Sequence, residues 1–112
     1  MVEDAESVRG EPLNVATTSQ GTETFIVIDG ELDAAGSEWF GACVSAVLEK
    51  HPGLMTIDAR GVTFLDSSGL RSLLLARAAA DDAGVAFRID DPSPELRRLI
   101  ERTGLRPLLL NG

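Results

Sequence analysis

The feature that most constrains this chain is the joint between two apolar runs. Leu54-Met55-Thr56-Ile57-Asp58 reads as a buried strand, and residues 70–80, rich in Leu and Ala, read as a helix. Between them stands Val62-Thr63-Phe64-Leu65-Asp66-Ser67-Ser68-Gly69. Asp and Ser begin helices because their side-chain oxygens accept hydrogen bonds from first-turn N–H groups. Gly69 leaves the turn without bulk, so another protein or a phosphate can approach the backbone closely. A helix start also carries partial positive charge and unpaired donors. The hydroxyls of Ser67 and Ser68 therefore stand where an added phosphate is electrostatically tolerated.

The rest of the chain arranges itself around that joint. Residues 13–17 and 24–28 alternate as strands, and the short turn at Ser19-Gln20-Gly21-Thr22 predicts an antiparallel hairpin. Asp29-Gly30-Glu31-Leu32-Asp33 follows as a strand end with a turn glycine. Ser37 is the expected cap of the next helix, whose buried stripe is Trp39, Phe40, Cys43, Val44, Val47 and Leu48. Lys50-His51-Pro52-Gly53 stops it. The apolar run at 54–58 predicts burial on both faces of a parallel sheet, and Ala59-Arg60-Gly61 reads as a loop. The helix after the joint is apolar nearly all round, so part of it is either well covered or meets a partner. Asp81-Asp82-Ala83-Gly84 ends it, and residues 85–89 read as a further strand. Ser93 caps a last helix with Pro94 at its first position, and Leu96, Leu99 and Ile100 form its buried stripe. Arg97, Arg98, Arg102 and Arg106 make a basic face paired with Glu95 and Glu101. Thr103-Gly104 closes that helix, and residues 105–110 suggest a short edge segment. Helix-linked strands of this order predict one α/β domain over residues 13–112, with a mixed, mainly parallel sheet of four to five strands and helices packed on it. Residues 1–12 read as a flexible acidic tail.

Charge narrows the function classes. Ten Lys and Arg against 18 Asp and Glu leave a formal net charge of −8. A basic footprint for nucleic acid is absent and contact with an anionic membrane is disfavoured. An acidic surface suits a partner with a basic patch, so any role in transcription acts through another protein. The single cysteine, Cys43, allows no intrachain disulfide and fits a reducing compartment; its place on an apolar helix face predicts burial rather than reactivity. Residues 1–6 are acidic and lack the apolar core of a signal peptide. The apolar stretch around Leu73 is interrupted by Arg71 and Arg77 and is too short to span a bilayer. The expected location is cytoplasmic.

Catalytic constellations are missing. Ser67 sits at a strand-to-helix turn, but the Gly-x-Ser-x-Gly elbow is not there and His51, the only histidine, is the sole available base. A single His and a single Cys make no metal site, and no Gly-x-x-x-x-Gly-Lys loop is present for a nucleotide. Asp58 at a strand end has the position of a receiver-domain phosphoacceptor, yet the only lysine is Lys50. The chain reads as a substrate for chemistry rather than its catalyst, needing no cofactor.

Phe64-Leu65-Asp66-Ser67-Ser68-Gly69-Leu70 resembles the phosphorylation motif of bacterial anti-sigma factor antagonists, small proteins built on the STAS domain. Gly30-Glu31-Leu32-Asp33 is similar to their second signature, and the order of elements matches from about Leu13 to Leu110. The resemblance implies a STAS-like fold. It implies phosphorylation of Ser67, the serine directly after the Asp, with Ser68 as a first-turn hydroxyl. It also implies a partner-binding rim of Glu31, Asp33, Asp66, Ser67, Ser68 and Gly69. The implied partners are an anti-sigma factor with ATP-dependent serine kinase activity, a metal-dependent serine phosphatase and, indirectly, a sigma factor. Within the same resemblance a STAS domain also serves as a scaffold or sensor module binding other regulatory proteins or a small ligand, or as a regulatory domain of an anion transporter.

Overall fold

The computed structural model describes residues 13–110, so the acidic tail expected over residues 1–12 lies outside the described residues. Strand β1 (Leu13–Gln20) and strand β2 (Glu23–Leu32) form the expected antiparallel hairpin. Strand β3 (Leu54–Leu65) lies parallel to β2, and strand β4 (Ala86–Asp90) parallel to β3, in the order β1-β2-β3-β4. Helix α1 (Ala34–Leu48) joins β2 to β3, and helix α2 (Ser67–Ala83) joins β3 to β4. Helix α3 (Pro94–Thr103) and the short helix α4 (Arg106–Leu109) follow. The sheet is mixed and mainly parallel with four strands, the lower of the expected counts.

Alternation along the strands gives the sheet two unlike faces. On one, the paired row Ile26, Ile57 and Ile89 is buried and shares one core with Phe40 and Val44 of α1, Leu73 of α2 and Leu96 and Ile100 of α3. On the other, the row one residue earlier in β3 and β4 is polar. Thr56 Oγ1 donates to Glu23 Oε2 at 2.7 Å, and Arg88 reaches Glu23 at 3.3 Å and Asp90 at 3.0 Å. Thr56 is fully buried between these neighbours, so the central strand is covered on both faces at 55–57, as its apolar run predicts.

Four local expectations are corrected. Ala59-Arg60-Gly61 is not a loop; β3 runs on to Leu65, and Asp58 lies inside it rather than at its end. Between Val27/Asp58 and Asp29/Gly61, and again between Gly30/Val62 and Glu31/Phe64, β3 carries one residue more than β2. These bulges absorb the irregular residues without ending the pairing. Gly30 meets the second of them with φ 107, a conformation that glycine adopts without a Cβ penalty. Ser37 does not cap α1; Asp33 does. Residues 105–110 hold α4 rather than an edge strand. The cap of α3 by Ser93, with Pro94 following and Gly104 in the left-handed conformation at its end, is as expected.

Candidate functional site

Leu32 and Leu65 are paired neighbours in β2 and β3, so the residues after them, Asp33 and Asp66, begin adjacent helices at one end of the sheet. The two joints are built alike. Asp33 Oδ1 accepts from Gly36 N at 2.9 Å, and Asp66 Oδ1 accepts from Gly69 N at 3.1 Å. Each carboxylate satisfies a first-turn donor that has no partner within its helix. Both glycines are tight against backbone. A Cβ on Gly36 would sit 2.6 Å from the Glu31 carbonyl oxygen, and one on Gly69 would fall well inside contact distance of the Leu32 carbonyl oxygen. Gly69 therefore lets the start of α2 lie directly on the end of β2.

One side chain links the joints. Ser37 Oγ, in the second turn of α1, donates to the Ser68 carbonyl oxygen at 3.1 Å. The three serines near the start of α2 differ in access. Ser67 is exposed and Ser68 is half-buried. Ser72 is buried, with its hydroxyl donating to the Gly69 carbonyl oxygen at 2.7 Å.

Of the residues expected at the rim, Asp33, Asp66, Ser67 and Ser68 come together at the two joints, whereas Gly69 is buried, its bare Cα facing Leu32 rather than an approaching partner. Glu31 is exposed near the end of β2, paired with Phe64 of β3. Residues not singled out as rim members also belong here. Phe64 is 47% exposed and Leu75 is 55% exposed, both large for open surface. The half-exposed Phe64 was legible only as part of its motif; the exposure of Leu75 follows from helical spacing, since Leu73 and Ala76 take the buried face. Small side chains on the facing sides of α1 and α2, among them Gly41, Ser45, Ala76 and Ala79, leave a shallow groove that leads from Ser37 along both helices. Where it opens toward Ser68 it is flanked by Glu38 and Arg71.

Other candidate residues lie away from this surface. His51 is exposed just past the far end of α1, a helix length of about 20 Å from Asp33. Cys43 is half-buried rather than buried. Asp58 is held in a two-pronged bond by the guanidinium of Arg60, at 3.1 and 2.9 Å. That hydrogen bonding lowers its carboxyl below the ordinary carboxylate range against an opposing effect of burial. Among the described residues no group of His, Cys, Asp and Glu is arranged to hold a metal, and no helix is long and apolar enough to cross a membrane.

A family model described as Mlab, STAS domain, matches residues 15–110. The chain is 31% identical over 83 residues to a STAS-domain containing protein of Pseudomonas aeruginosa, a match covering 74% of this chain and 81% of that protein. An anti-sigma factor antagonist from Mycobacterium paratuberculosis shares the fold with a TM-score of 0.73 and 25% identity, over 89% of this chain and 86% of that one. The antagonist SpoIIAA in its unphosphorylated form gives a TM-score of 0.72 at 21% identity, over 87% and 86%; the Bacillus protein is also known in its phosphorylated form. The fold extends beyond antagonists, to a sulfate transporter family protein from Wolinella succinogenes (TM-score 0.69, 15% identity, 84% of this chain and 80% of that one).

Proposed function

This chain belongs to the STAS-domain family, and on that premise we propose that it is an anti-sigma factor antagonist switched off by phosphorylation of Ser67. The observation that carries the reading is the access of the three hydroxyls: Ser67 is exposed in the first turn of α2, whereas Ser68 is half-buried and Ser72 is buried and already donating. Likeness to antagonist structures supports the same role at the level of fold.

In this reading the unmodified protein presents Glu31, Asp33, Asp66, Ser67 and Ser68 to an anti-sigma factor and so releases a sigma factor, while the buried Gly69 seats the first turn of α2 on β2. The anti-sigma factor is also the kinase. Ser67 Oγ attacks the γ-phosphorus of ATP, the bond to ADP breaks, and the hydroxyl proton passes to a base on the kinase. ATP and Mg²⁺ are the partner's; this chain is the substrate and requires no cofactor. A serine phosphatase restores the hydroxyl with water. The exchange takes place in the cytoplasm, through residues 13–112, with residues 1–12 as a tail outside the working domain.

The energetics favour a switch at the interface over one by unfolding. A phosphate adds about −1.5 to −2 charges. At the start of α2 it meets the positive end of the helix dipole, worth roughly 0.3–1 kcal/mol when exposed. Against a partner's surface the same charge must be desolvated, and an unpaired buried charge costs several kcal/mol. Incubation with the cognate kinase and ATP, followed by peptide mapping, tests the assignment. One phosphate on Ser67 is expected; a phosphate on Thr63, Ser68 or Ser72 refutes it.

A second reading has its own support in the description of the matching family model, Mlab, STAS domain, which does not name an antagonist. In that reading the domain is a scaffold or sensor module binding other regulatory proteins or a small ligand. Capture from native cells separates the two: a small serine kinase recovered by the wild type and lost with Ser67→Asp favours the switch.

A further inference from the structure

Arg71 stands one helical turn after Ser67, on the same side of α2. It is exposed and has no carboxylate partner among the described residues. The ionisable groups at the two joints beside it are acidic, Glu31 and Asp33 at the end of β2 and start of α1, Glu38 on α1 and Asp66 ahead of α2; the other cations of these elements, Arg77 and Arg60, lie further along α2 and within β3. Arg71 and Glu38 flank the same depression beside Ser68. A phosphate placed on Ser67 therefore enters an acidic joint, with Arg71 as the cation one helical turn away.

Helix geometry decides which of these it meets. Side chains on an α-helix lean toward its N-terminus, which puts the first turn within reach of Arg71, already beside Ser68. Residues four apart have Cβ atoms about 5–6 Å apart. An arginine side chain and a phosphoserine together bridge that gap easily, and the guanidinium fork matches two phosphate oxygens at once. Glu38, on the neighbouring helix, makes no ion pair with Arg71 among the described residues, so the phosphate meets an unengaged guanidinium.

We propose that Arg71 clasps the phosphate of Ser67 within the same chain, making it the receiver of the modification and setting the charge the site shows to a partner. The proposal rests on Ser67 as the modified residue. The clasp holds the phosphate against the first turn of α2 in its dianionic form and engages the one cation beside the proposed rim, whose own ionisable members, Glu31, Asp33 and Asp66, are acidic. The same side chain is thus exposed in one state and engaged in the other.

The test installs phosphoserine at position 67 during translation, so that no kinase is needed, and titrates the phosphate by ³¹P NMR. In the wild-type background the second phosphate ionisation is expected below the usual value of about 6. With Arg71→Gln it is expected to rise by roughly half a pH unit or more, the direction set by loss of a nearby opposite charge. Arg71→Lys is expected to fall between the two, and Arg97→Gln, on α3, to leave the value unchanged. Identical titrations for wild type and Arg71→Gln overturn the clasp, even if a kinase is found to use Ser67. Conversely, a kinase that modifies another residue overturns the Ser67 assignment while leaving the NMR result as it stands.

Discussion

Ser37 Oγ donates to the carbonyl oxygen of Ser68 at 3.1 Å, so the first turn of α2 is tied by a side chain of α1. The bond spans the two joints that form the candidate site. It fixes the backbone next to Ser67 relative to Asp33, and Ser37 is thereby a positioning residue. Ser37→Ala is expected to lower stability by about 0.5–1.5 kcal/mol in a urea titration and to increase amide exchange at residues 68–70. Unchanged exchange there would mean that α2 holds its start without α1.

Gly69 and Gly41 are predicted to respond oppositely to alanine. At Gly69 a methyl group meets the Leu32 carbonyl, which belongs to backbone and cannot swing away. Gly69→Ala should lose about 1–3 kcal/mol, the usual range for overpacking. Gly41 lies inside α1 with nothing near its added Cβ, so Gly41→Ala should gain about 0.5–1 kcal/mol from helix preference. Chemical denaturation of the two variants checks both signs, and a tolerated Gly69→Ala would show that α2 does not lie on β2 as described.

Asp33 has two roles that one substitution confuses. Its carboxylate caps α1 through Gly36 N, and its charge belongs to the proposed rim. Asp33→Ala removes both and should cost about 1 kcal/mol of stability. Asp33→Asn keeps the cap and removes the charge. If the charge contacts a basic partner, Asp33→Asn should melt near the wild type while binding the anti-sigma factor more weakly. Wild-type affinity for Asp33→Asn would remove the charge from the interface.

The Asp58–Arg60 pair predicts a pH dependence. Hydrogen bonding from Arg60 lowers the folded-state pKa of Asp58, so the folded protein holds the proton less readily than the unfolded chain. The stabilisation is present above the unfolded value of about 3.9 and is lost as pH falls through the lower folded value. Arg60→Gln should therefore melt below wild type at pH 7, with the gap closing as the solution is taken under pH 4. Added salt should shrink it too, because Arg60 is well exposed. A gap that persists in acid would assign the loss to something other than the ion pair.

The helix starts were legible where the signal was local. Asp66 before Ser67-Ser68-Gly69, and Ser93 before Pro94, place an acceptor within reach of first-turn donors, and short-range chemistry decides the outcome. Ser37 misled because a serine inside a helix has the same composition as a cap. What distinguishes it is Asp33 four residues earlier, together with a partner carbonyl 31 residues away. The length of β3 was hidden for a similar reason. Arg60-Gly61 has turn composition, and only pairing with β2 through two bulges keeps it in the sheet. The resemblance implied one rim for the residues of both motifs, and it is the pairing of Leu32 with Leu65 that brings Asp33 and Asp66 side by side. The half-exposure of Phe64, the groove between α1 and α2 and the place of Arg71 beside it depend on how the helices pack, which spacing along the chain does not record.

The central claim is that phosphorylation of Ser67 controls partner binding while the fold stays as it is. The direct measurement compares the affinity of the cognate anti-sigma factor for unmodified protein and for protein carrying phosphoserine at 67, with melting temperatures taken on the same samples. The account predicts a loss of tenfold or more, each tenfold being about 1.4 kcal/mol, at nearly equal melting temperatures. Equal affinities, or a loss of binding accompanied by a melting temperature many degrees lower, would contradict it.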